Sequence, residues 1–140
     1  MKINMTTLNS LIRFLAIPAI SLSLVSCNKE LSTGSDFLIM VDSINVPGVV
    51  NAETPFDIVF FGTIGFNGCV SFKTFNMEIY DDQYTIGAWA TYDQNNKTCP
   101  DVLVSLNGKK LSLIIPTAGT YYILITEPNG YVINKQITVN

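Results

Sequence analysis

From residue 36 onward the chain is cut into short pieces by turn residues, and no stretch of it carries helical periodicity over three to four turns. Pro47-Gly48, Asp81-Asp82, Asn107-Gly108 and Pro128-Asn129-Gly130 mark the breaks. Between them lie runs rich in Val, Ile, Phe, Tyr and Thr, residues that suit a pleated, half-buried surface. Such a chain has few options other than a stack of short strands.

The runs can be placed in order. Residues 37–44 form the first strand candidate. Pro55 opens the next, 56–64, with Phe56, Ile58 and Phe60 on one face and Asp57, Val59 and Phe61 on the other. In 69–75, Val70, Phe72 and Thr74 stand opposite Cys69, Ser71, Lys73 and Phe75, and Ile79-Tyr80 extend the strand past a bend at Asn76. In 84–92, Tyr84, Ile86, Ala88 and Ala90 alternate with Thr85, Gly87, Trp89 and Thr91. The runs 102–106 and 109–115 flank Asn107-Gly108, a strong hairpin signal. Residues 120–127 and 131–139 make the last pair. Tyr121, Ile123 and Ile125 face Tyr131, Ile133, Ile137 and Val139, with Lys135 the exception. About seven or eight short strands with regular turns predict an all-β sandwich.

Gly119-Thr120-Tyr121-Tyr122 resembles the corner of immunoglobulin-like domains, where a Tyr after a tight turn ties the corner through its hydroxyl. The resemblance implies an immunoglobulin-like sandwich with Tyr121 or Tyr122 in that role. Cys99 sits in a polar loop rather than on the strand after the Tyr, so the expectation concerns architecture and not membership of the antibody family.

Ahead of this domain, Lys2 and Arg13 flank a twelve-residue apolar or small run, 14–25. It is too short to span a bilayer, which takes about 20 residues, and it reads as a secretory signal. The run ends in Leu24-Val25-Ser26-Cys27, which resembles the lipobox of bacterial lipoproteins. The resemblance implies a signal peptide over 1–26 and cleavage before Cys27, with a diacylglyceryl thioether on Cys27. Two acyl chains suffice for stable anchoring. A lipidated Cys27 and flexible tether would occupy 27–35, and the sandwich domain 36–140. Asn28, in place of Asp, implies the outer membrane, with the cell surface and the periplasmic face both open. Lys29-Glu30 resembles the charged export signal of surface lipoproteins in Bacteroidetes, the Asn-rich composition resembles that phylum, and the whole chain resembles its small lipoproteins with one immunoglobulin-like module.

Once Cys27 is assigned to lipid, Cys69 and Cys99 remain as a pair in an oxidising compartment, which predicts a disulfide. The alternative is two reduced, buried thiols. Without the signal segment, six basic residues stand against eleven acidic ones, a net charge of about −5, which argues against a nucleic-acid partner. The chain has no His, hence neither the commonest general base nor the commonest metal ligand.

No residue set carries catalytic chemistry, and no cofactor or metal is expected. Asp81, Asp82, Asp93 and Asp101 follow no calcium-loop spacing and read as solvated turn residues. Asp57 and Glu78 have nothing to bring them together as an acid/base pair. Core packing accounts for most of the aromatic rings. Trp89, however, shares its face with small or polar residues. With Tyr92, and with Asn95 and Asn96 in the polar loop 93–101, it would offer a contact to a sugar or a protein partner if exposed; core packing is the favoured reading of the ring. Asp42-Ser43-Ile44 resembles the O-glycosylation motif of Bacteroidetes, with Ser43 as acceptor. The expected function is a non-catalytic binding or structural module of the envelope, held to the membrane through Cys27, with a protein or glycan partner. The alternative is an inhibitor of secreted proteases acting through the 93–101 loop; an enzyme is the least favoured reading.

Overall fold

The computed structural model describes residues 34–140. The expected signal peptide over 1–26, Cys27 and most of the expected tether lie outside the described residues. The domain is an all-β sandwich of eleven strands: β1 (Gly34–Leu38), β2 (Ser43–Asn45), β3 (Val49–Val50), β4 (Phe56–Phe61), β5 (Thr63–Gly65), β6 (Val70–Tyr80), β7 (Gln83–Asp93), β8 (Val104–Ser105), β9 (Lys109–Leu113), β10 (Gly119–Thr126) and β11 (Val132–Val139). Seven of these are five residues or longer and four are ladders of two or three residues, more strands than the seven or eight expected: the run 56–64 splits into β4 and β5 in different sheets, and 102–106 keeps only β8.

The larger sheet is built around β7. One edge of β7 pairs with β6 along most of its length. The other edge is shared: β10 runs parallel to it over 83–86, and β1 runs antiparallel to it over 89–93. The sheet continues from β10 to β11 and then to β3, the last contact again parallel. The smaller sheet has the order β2-β4-β9, and β5 and β8 form a separate ribbon.

The core lies where the two sheets face. Ile58 and Phe60 of β4 are fully buried, as are Ile86, Ala88 and Ala90 of β7, Ile123 and Ile125 of β10, and Ile137 of β11. This is the alternation visible in the sequence, because successive side chains of a strand point to opposite faces. The core cluster runs from Ile39 to Val139, so the domain has its own core.

Two Phe residues share that core only because of a β-bulge. The register of β6 slips between Phe72 (opposite Ala90) and Thr74 (opposite Trp89). Lys73 is the extra residue. Phe72 and Phe75 were expected on opposite faces; the insertion turns both inward, each across from an alanine. Their ring centroids are 4.8 Å apart, and Phe75 lies 4.4 Å from Phe60. No bend forms at Asn76: β6 is continuous to Tyr80.

The expected first strand, 37–44, is two strands in two sheets. The crossing between them is a hydrogen-bonding problem, since a buried N–H needs a partner. The Ile39 N–H donates to the Ala88 carbonyl in the larger sheet, and the Asp42 N–H to the Phe61 carbonyl in the smaller one. Between them the Val41 N–H donates to both carboxylate oxygens of Glu127, at 3.1 and 3.0 Å. Glu127 is buried, which pushes its carboxyl above the ordinary glutamate range; the Val41 hydrogen bond opposes the shift and the Asp42 charge adds to it.

A raised value means that the folded state holds the proton more tightly than the unfolded one. The stability it contributes is complete below the ordinary glutamate pKa and is lost as pH rises through the folded value. Glu127→Gln keeps an acceptor for Val41 and cannot ionise. Its stability relative to the native chain is therefore expected to improve as pH rises above about 4.3. Urea unfolding of both proteins across pH 4–8 tests this; parallel profiles would overturn it.

The Asn107-Gly108 turn is present, with Gly108 at φ +77 and the Lys109 N–H on the Leu106 carbonyl at 2.7 Å. It does not make a hairpin. β8 pairs with β5 and β9 with β4, so the turn hands the chain from one ladder to another. At the other corner, the Tyr121 hydroxyl donates to the Thr117 carbonyl at 3.1 Å, as the resemblance implied.

Candidate binding face around Trp89

Trp89 is half-buried and sits on the outer face of the larger sheet, away from the core. The alternation of β7 sets this: Tyr84, Ile86, Ala88 and Ala90 point inward, so Thr85, Gly87, Trp89 and Thr91 point out. Gly87 is buried although it faces outward, because neighbouring side chains lean over it. A Cβ there would stand 3.0 Å from Leu38 Cδ1, 3.1 Å from Trp89 Nε1 and 3.3 Å from Thr126 Oγ1. The missing side chain makes room for the indole to lie along the sheet.

The indole divides two open depressions. One, of about 200 Å³, is lined by Leu38, Asn76, Glu78, Thr85, Gly87 and Thr126 together with Trp89. The other, of about 270 Å³, is bounded by Asp36, Lys73, Thr74, Asn76 and Trp89. Pairing between β6 and β7 fixes the polar groups: Thr74 stands opposite Trp89, Asn76 opposite Gly87 and Glu78 opposite Thr85. The bulged Lys73 forms an ion pair with Asp36 of β1. Hydrogen bonds from Lys73 and then Thr91 hold Asp36 below the usual carboxylate range. The Thr126 hydroxyl donates to the Ile86 carbonyl at 3.4 Å. Among the described residues, the side chains of Asn76 and Glu78 make no hydrogen bond, which leaves an amide and a carboxylate beside the indole.

The other expected contact residues lie elsewhere. Tyr92 has the inward parity of β7, and its hydroxyl is 3.7 Å from Cys99 Sγ. It does not join Trp89, because consecutive contact residues three apart on a strand fall on opposite faces. Asn95 and Asn96 are exposed in the 93–101 loop and shape it. The Asn95 N–H donates to Asp93 Oδ1 at 3.0 Å, and the Thr98 N–H to Asn96 Oδ1 at 3.4 Å. Cys69 and Cys99 are joined in a disulfide, with Cα atoms 5.3 Å apart.

Ser43 is exposed on the short edge strand β2, opposite Phe61. Asp81 and Asp82 lie at the start of β7 and Asp93 at its end, roughly 30 Å apart along the strand. Asp57 and Glu78 are on the outer faces of different sheets. Asp57 takes hydrogen bonds from Ser112 and then Lys110, which lower its pKa. The residues that sequence reasoning missed are Asn76 and Glu78. Their distance from Trp89 depends on β6–β7 register, and the bulge at Lys73 shifts that register.

A half-buried indole on an outer sheet face, beside one amide and one carboxylate, can bind. It offers an apolar plate with directional polar groups at its edge, the usual composition of a small-ligand site. Comparison with protein-family models, curated proteins and solved structures finds no match to this chain.

Proposed function

We propose that this chain is a lipid-anchored, non-catalytic binding module of the bacterial outer membrane that takes a glycan on the Trp89 face. The observation that supports the reading is the position of Trp89: a large ring kept on the solvent side of a sheet, over a glycine, between two polar-rimmed depressions. A pyranose ring has an apolar face for the indole and hydroxyls for Asn76 and Glu78. Anchoring follows from the lipobox-like Leu24-Val25-Ser26-Cys27. The 93–101 loop would serve a protease inhibitor less well, since Gly34 pairs with Asp93 and the anchored end of the chain therefore lies beside it.

Trp89 is the chain's one tryptophan, so its fluorescence reports this site alone. Titration with purified lipopolysaccharide and peptidoglycan fragments is expected to shift or quench that emission. Trp89→Ala is expected to weaken binding by at least about tenfold, as for an aromatic anchor. Saccharide binding that leaves Trp89 emission unchanged, or that survives Trp89→Ala, would remove this face from the function. Separately, Cys27→Ser is expected to move the protein out of the membrane fraction or leave the precursor uncut. A variant that still fractionates with the outer membrane would end the anchor reading.

A further inference from the structure

The described chain begins at one end of the sandwich. Gly34 lies opposite Asp93, so the polypeptide arriving from Cys27 joins the domain where β7 ends and β6 begins. That end is rigidly braced. The Asp93 N–H donates to the Cys69 carbonyl at 2.9 Å, and the Gly68 N–H to the Pro100 carbonyl at 2.8 Å. The Cys69–Cys99 disulfide ties the same segments. A Cβ on Gly68 would stand 2.6 Å from Pro100 Cγ and 3.2 Å from Val102 Cγ2, and Gly65 pairs with Val104. Residues 65–68 and 100–104 therefore run side by side.

This braced strip turns apolar side chains to water. Phe66 is 76 % exposed, Leu103 63 % and Val102 47 %. None of them belongs to the core cluster. The length of chain before Gly34 limits what can cover them. Seven residue steps separate Cys27 from Gly34, at most about 25 Å fully extended. With acyl chains on Cys27 inserted in a bilayer, this end stays close to the headgroups. The Asp81-Asp82 hairpin, roughly 30 Å further along β7, has no such constraint.

We infer that Phe66, Val102 and Leu103 seat the domain on the phospholipid surface that holds Cys27, an inference that rests on the anchor reading. The contact is apolar rather than ionic: Asp101 lies within the strip and Asp93 at its end, with the single Lys97 in the loop between them, so anionic lipid gains nothing from charge. High salt should leave it intact. Seated this way, the domain keeps the Asp81-Asp82 hairpin at the end away from the membrane.

Residues 28–140, carried by an N-terminal His tag on vesicles of phosphatidylethanolamine, phosphatidylglycerol and a nickel-chelating lipid, test the contact without the native lipid. Single tryptophans are placed by Phe66→Trp or Tyr80→Trp in a Trp89→Phe background. The Phe66→Trp emission is expected to shift to the blue and to be quenched by brominated acyl chains, at low and high salt alike. The Tyr80→Trp emission should match that of the vesicle-free protein. An unshifted, unquenched Phe66→Trp, or equal quenching at both positions, would overturn the inference. Because the tag replaces the lipid, that failure is distinct from failure of the anchor reading, which shows as unchanged membrane fractionation of Cys27→Ser.

Discussion

Phe60→Ala is expected to destabilise the domain by about 3–5 kcal/mol, the largest loss from any single side chain here. Phe60 is fully buried on the central strand of the smaller sheet. Ile44 stands opposite it on one side and Lys109 on the other. Its ring packs 4.4 Å from Phe75, which β6 delivers only by spending a residue on a bulge. Truncation leaves a hole between two sheets whose registers are fixed by hydrogen bonds, so little collapse can fill it. A domain of this size has about 5–15 kcal/mol in total, so the variant should be marginal. Phe61→Ala supplies the contrast. That ring points to the other face and is 37 % exposed, and its loss is expected to cost about 1 kcal/mol or less. Urea midpoints at constant slope separate the two; equal losses would show that Phe60 is not the centre of the core.

Reduction of the Cys69–Cys99 bond, or replacement of both residues by Ser, should cost about 3–4 kcal/mol. The bond closes a ring with a sequence separation of 30, and cutting it releases the unfolded chain from that constraint. The denaturant slope should therefore increase as the midpoint falls, because a less constrained unfolded chain exposes more surface. Locally, amides of the 93–101 loop should exchange sooner than those of β7, since the loop loses its covalent brace while the β6–β7 ladder remains. A reduced protein with an unchanged midpoint would mean that the loop is held by its hydrogen bonds alone.

What could be read from the chain beforehand was whatever depended on local alternation. The inward set of β4, β7 and β10 follows from period-two spacing, and the same spacing puts Trp89 on the face opposite that set, although core packing was the favoured reading of its ring. The Tyr121 hydroxyl bond spans four residues; the resemblance of Gly119-Thr120-Tyr121-Tyr122 to an immunoglobulin-like corner implied such a bond, from Tyr121 or Tyr122, and alternation did not. Features set by distant partners were not legible. Nothing in the apolar run 37–44 marks where it leaves one sheet for the other, because the group that makes the crossing tolerable is Glu127, 86 residues away. The bulge at Lys73 carries neither Gly nor Pro, and what it changes is that two rings rather than one pack against the core. Asn107-Gly108 specifies a turn, but whether the flanking strands pair with each other is decided by β4 and β5. Parallel pairing of β7 with β10 joins strands far apart in the chain, and no short-range signal announces it.

The first strand also decides how the domain would bear tension. A pull applied at Gly34 and resisted at the Trp89 face runs along the β1–β7 ladder, whose five residue pairs are bonded across the load. Hydrogen bonds strained in that direction must give way together, whereas bonds pulled from one end open one after another. Behind them the two Val41–Glu127 bonds stand as a second stop. A short strand at the edge of a shared ladder thus becomes a shear joint, and the rate at which it slips would set how long such a module holds on when its ligand is dragged away.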